Sequence, residues 1–125
     1  MNISTPLSNS VVVYEVNLTI STTIFEEHQG WLIDHFHSMV TENNFIKLNL
    51  FFVENMDPTN DEHLRNKKIV VQYYVSDFET LQKYFEKQAK QMRNQVVSRL
   101  GQHYSVSRRV FKLIETFHNE DNQLC

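Results

Sequence analysis

A chain of 125 residues has room for one hydrophobic core, since a domain of that size buries roughly two-thirds of the surface its unfolded form exposes. Hydrophobic residues at 41% against 22% charged exclude a chain that is disordered throughout. The net charge of −3 is divided unequally: residues 1–62 hold nine acids against Lys47, and residues 63–112 hold eleven Lys and Arg against three acids, which two neighbouring elements of opposite sign explain more simply than a nucleic-acid face does.

Met1 to Ser10 are polar, with no basic start and no long apolar run, so no secretory signal is visible. No apolar stretch approaches the roughly 20 residues of a membrane span. The only cysteine is Cys125, which leaves no intramolecular disulfide or cysteine metal cluster and no sign of an oxidising compartment. The expectation is a cytoplasmic protein without a membrane partner. Its organisation reads as one domain over residues 11–117, with flexible termini at 1–10 and 118–125.

Residues 11–20 are rich in β-branched side chains and alternate, with Val12, Tyr14, Val16, Leu18 and Ile20 on one face and Val13, Glu15, Asn17 and Thr19 on the other. The first set reads as core. Thr23 with Glu26 forms a capping box, and Phe25, Leu32, Phe36, Met39 and Val40 then follow at helical spacing. Asn43 and Asn44 end that helix. A second strand alternates over residues 45–53, and the polar stretch 54–66, which holds Pro58, reads as a long exposed hairpin connection.

A third strand over residues 67–75 puts Ile69, Val71, Tyr73 and Val75 on one face and Val70, Gln72 and Tyr74 on the other. Ser76 with Glu79 is a second capping box. It opens a long helix with Leu81, Phe85, Ala89, Met92, Val96 and Leu100 as its stripe and Gly101 as its stop. Residues 103–116 read as a last strand whose alternation is untidy around Arg108 and Arg109, as a bulge would make it.

The order is β-α-β-β-α-β: an α+β, ferredoxin-like plan with a four-stranded antiparallel sheet and two helices on one face. The other face mixes Val13, Phe51, Val70 and Phe111 with Glu15, Asn17, Asn49, Gln72, Tyr74 and Arg109. It is too apolar to stay in water, so a homodimer through this open face is expected. Glu15, Asn17, Gln72 and Arg109 would then need partners and could supply one another across the two-fold axis; Glu15 and Arg109 are the pair to watch, since the neighbouring first and last strands would bring them together.

The pieces VYEVNL at 13–18, Trp31-Leu32 to His35 to Met39, VQYYVSD at 71–77, Tyr84, Ala89, Met92-Arg93, and Leu100-Gly101 through Arg108-Arg109-Val110 together resemble bacterial domain-of-unknown-function family 4286. The resemblance spans roughly residues 12–111 and implies a dimeric α/β-barrel type of ferredoxin-like fold. It brings no activity, substrate or catalytic residue. Leu100 stands where that family usually has Phe, and the second hairpin loop varies.

Three classes of function follow. The first is a non-catalytic regulatory or interaction module whose working unit is the dimer. The second is a small-molecule binder, or a cofactor-free monooxygenase or haem-binding enzyme, using the cavity between sheet and helices. Asn17, Trp31 and a histidine such as His35 are its candidates, although Trp31 and His35 at i, i+4 read more simply as an aromatic pair at the edge of the core. The third is RNA binding, which needs Tyr14 on the open sheet for base stacking and conflicts with its place in the core set. His28 and His35, seven apart, lack the spacing of a metal pair, so no metal and no cofactor is expected.

Overall fold

The computed structural model describes residues 11–57, 59 and 61–120. The flexible segment expected at 1–10, the tail from 121 and Pro58 lie outside them. The strands are β1 (Val12–Ser21), β2 (Lys47–Phe52), β3 (Asn66–Val75) and β4 (Tyr104–Lys112), and they form one antiparallel sheet in the order β2-β3-β1-β4. The helices are α1 (Thr22–Glu42), the single turn α2 (Glu62–Arg65), α3 (Phe78–Lys87) and α4 (Ala89–Leu100).

Strand parity decides what the sheet buries. Val12, Tyr14, Leu18 and Ile20 of β1 lie beneath the helices beside Ile69, Val71, Tyr73 and Val75 of β3, all buried. Leu32, Phe36 and Met39 of α1 and Leu81, Tyr84, Ala89 and Met92 of α3 and α4 close the core from above. Tyr14 is its hub: its ring lies 5.9 Å from Tyr73, 5.8 Å from Tyr84 and 5.3 Å from Phe85. A Tyr14 that is 1% exposed offers no platform on which a nucleic-acid base can stack.

The ends of the helices differ from the sequence expectation in instructive ways. Ser21, not Thr23, caps α1, its hydroxyl accepting from the Ile24 amide at 3.1 Å. Asp77, not Ser76, caps α3 by accepting from the Thr80 amide at 2.7 Å, and Ser76 donates to the Asp77 carboxylate instead. In each case the competing residue is an equally good capping type a position or two away, and the strand that precedes it sets where the chain must turn. Gly101 does stop α4, at φ 68°.

The long second helix is two helices, broken at Gln88, which has φ −121° and ψ −24°. One continuous helix that turns Leu81 and Tyr84 to the sheet would also turn Gln88 inward, four residues beyond Tyr84. The break leaves Gln88 half-buried and brings Ala89 and Met92 inside. Phe85, assigned to the stripe, is 40% exposed as a consequence. The hairpin at 54–66 is likewise not all loop, because α2 forms a turn within it, with Leu64 donating to the Asp61 carbonyl.

β4 carries no bulge: each residue from Tyr104 to Lys112 pairs in unbroken register with β1. Its untidy alternation has another cause. β4 is an edge strand that the helices cover incompletely, so Arg108 and Val110 sit on the core side of the sheet yet remain exposed.

Candidate functional site

The uncovered face of the sheet is organised in rows. Register places Asn49, Gln72, Glu15 and Arg109 side by side across all four strands. The row on one side is Lys47, Tyr74, Val13 and Phe111, and the row on the other is Phe51, Val70, Asn17 and Ser107. Every site residue expected on the open face is therefore there, and most of them touch.

Glu15 is the centre. Its Oε1 accepts from Gln72 Nε2 at 3.0 Å, and its Oε2 accepts from Asn17 Nδ2 at 3.1 Å and from Arg109 Nε at 2.5 Å. These donors belong to the same chain: Glu15 meets Arg109 between the neighbouring strands β1 and β4, as the sequence suggested, and the expectation that partners come from across a two-fold axis is corrected, because the register of β3, β1 and β4 supplies them already. Asn49 Nδ2 donates instead to the Tyr74 hydroxyl at 3.3 Å, while Lys47 lies over the Tyr74 ring and Arg109 over the Phe111 ring.

Burial raises the pKa of the Glu15 carboxyl, but hydrogen bonds from Gln72, Arg109 and Asn17, together with the Arg109 charge, outweigh it and hold the group below the ordinary carboxylate range. The folded state thus binds this proton less readily than the unfolded chain does. The stability that Glu15 contributes is fully present above about pH 4.5 and is lost as pH falls through the lowered folded value. Urea midpoints at neutral and acid pH are expected to fall less for Glu15→Gln than for the parent chain, and an equal fall in both would contradict this linkage. The Glu15 side chain is 5% exposed and that of Arg109 65%, so the pair itself is half in water and is a weak source of stability.

The other candidates lie across the sheet. Trp31 stacks on His35 with ring centroids 5.3 Å apart and planes at 17°, the aromatic pair that their spacing suggests. His35 is buried, and burial lowers its pKa, opposed by the charge of Glu42 and a hydrogen bond with Gln95. The imidazole is accordingly neutral at neutral pH. Asn17 and Trp31 are on opposite sides of the sheet and do not share a pocket, which removes the constellation of Asn17, Trp31 and histidine. His28 accepts from Arg99 at 3.3 Å, and no group of three or more potential metal ligands lies among the described residues. Among those residues no helix is long and apolar enough to cross a membrane.

The cavity expected between sheet and helices takes the form of a cleft between the helix layer and β4, bounded by His35 and Phe36 of α1, Arg93 of α4 and Arg108 of β4, with Tyr14 and Tyr84 within; His35 was a candidate for it, and Arg93 and Arg108 were not. Arg108 has core parity in the sequence, and that charge at a core position was the available signal.

No curated protein matches the chain. Its fold is similar to that of a dimeric ferredoxin-like protein from an uncultured marine organism, at 14% identity and a TM-score of 0.62 over 86% of this chain and 99% of that one. It is similar also to a hydroxynitrile lyase from Passiflora edulis (9% identity, TM-score 0.63, 88% and 99% covered). A third likeness is to a mutant of SnoaB, a cofactor-independent oxygenase from Streptomyces nogalater (11% identity, TM-score 0.58, 86% and 98% covered). Identities this low speak for the fold alone, and the fold they share with this chain is ferredoxin-like. The family model described as a domain of unknown function, DUF4286, matches residues 11–114, and the chain belongs to that family.

Proposed function

We propose that the protein is a homodimeric, non-catalytic interaction module in which two open sheet faces pack about a two-fold axis, as in a dimeric α/β barrel. The observation that carries this reading is the layout of the face: an internally bonded polar row between two rows that expose Val13 and Phe111 on one side and Phe51 and Val70 on the other. Phe51, beside Val70, is 46% exposed and Phe111, beside Val13, is 37% exposed, and a monomer rarely leaves this much apolar surface on one face in water. Because Glu15 is satisfied within its own chain, two copies can approach without stranding its carboxylate, which is the usual obstacle to burying a polar row. The exposed Arg109 guanidinium has further donors to offer the second copy. The dimeric description of the marine ferredoxin-like protein supports the reading.

The same geometry favours a binding role over catalysis on this face. A general base at neutral pH needs a raised carboxyl pKa and a free lone pair facing substrate, whereas the Glu15 pKa is lowered and its oxygens receive three donors. The oxygenase activity named for SnoaB is not carried over. Light scattering in the micromolar range is expected to return twice the chain mass. A single-chain mass throughout that range would overturn the proposal.

A further inference from the structure

The cleft on the opposite side of the sheet points to a ligand of its own. We propose that it binds a short-chain aliphatic carboxylate, whose head is held between Arg93 of α4 and Arg108 of β4 and whose chain enters the apolar floor beneath α1. The cleft exists because the helix layer stops short of β4. Val16 and Leu18 of β1, Leu32 and Phe36 of α1, and Val106 of β4 line its interior.

The volume of the cleft is about 60 Å³. An apolar cavity of roughly 150 Å³ is the size that accepts benzene, so this one suits a narrow chain of a few methylenes and not a ring. Two guanidiniums at one mouth define the head group. Both line the cleft, and among the described residues neither is in an ion pair with an acid. Their fields converge inside. Burial raises the pKa of the Tyr84 phenol, and the positive charges of Arg93 and Arg108 act against that rise. His35 on the α1 wall is neutral and adds no charge to the balance. A mouth with two unpaired guanidiniums above an apolar floor recognises an anion with a hydrocarbon tail, and the planar guanidinium fork matches a carboxylate edge.

Trp31, the sole tryptophan, stacks on His35 and reports on the cleft. Titration of the full chain with butanoate, followed by Trp31 fluorescence and by calorimetry, is expected to show saturable binding at submillimolar to low millimolar concentration. Butanol and inorganic phosphate, which keep only the tail or only the charge, are expected to bind about tenfold more weakly or less. Arg93→Gln and Arg108→Gln, both at exposed positions, are each expected to weaken butanoate about tenfold while leaving the thermal melt unchanged. The site is overturned if butanoate fails to saturate up to about 10 mM, if butanol or phosphate binds as well, or if both variants keep the parent affinity. Since the cleft and the proposed interface lie on opposite sides of the sheet, failure of one leaves the other standing.

Discussion

Val13→Asp is expected to leave a folded protein that no longer pairs, with self-association weakened about 100-fold or more. Val13 stands at the middle of the sheet, between Tyr74 of β3 and Phe111 of β4. It is only half-buried in the single chain, so a carboxylate there is hydrated before association. Packing two such faces would dehydrate two aspartates, one from each copy, with Glu15 two positions away already committed to its own three donors. Each uncompensated buried charge costs several kcal/mol, which more than accounts for the expected loss. Sedimentation velocity across a concentration series gives the dissociation constant, and an unchanged value would place the interface elsewhere on the molecule. Circular dichroism of the variant checks that the sheet is intact.

Tyr14→Ala is expected to remove about 3–5 kcal/mol of folding stability, a large share of the roughly 5–15 kcal/mol that a domain possesses. The ring is 1% exposed and touches the rings of Tyr73, Tyr84 and Phe85. Truncation therefore opens a void where β1, β3 and α3 meet, and the surrounding rings are too large to collapse into it without leaving their rotamers. The urea midpoint is expected to drop at unchanged slope. A loss under about 1 kcal/mol would mean that the ring is dispensable to the core and that the face assignment of β1 is wrong.

What the sequence made legible was parity. The alternation in residues 11–20 and 67–75 separates the face under the helices from the open face without error at Tyr14, Glu15, Gln72 and Tyr73, because each of the two central strands has one face under the helices and one outside. Where burial is partial the signal decays. Arg108 and Arg109 look like a bulge, yet they are ordinary neighbours in an edge strand, one on each face. Cap positions escaped for a different reason: Ser21 and Thr23, or Ser76 and Asp77, are chemically interchangeable as caps, and only the end of the preceding strand chooses between them. The break at Gln88 could not be read from breakers, since neither glycine nor proline is there; it follows from keeping a glutamine out of a face that Tyr84 and Ala89 occupy. At the open face, position was legible and connectivity was not. The sequence placed Glu15 and Arg109 on one surface and on neighbouring strands, but whether Gln72 and Asn17 serve the same chain or a second one depends on the register of three strands.

The most direct test of the interface is an isotope-filtered nuclear Overhauser experiment on a mixture of labelled and unlabelled chains. Contacts between copies are expected from the methyl groups of Val13 and Val70 to the rings of Phe51 and Phe111. Contacts between copies that arise only from the outer surfaces of α1, α3 and α4, with the sheet methyl groups silent, would contradict a dimer built on the open face.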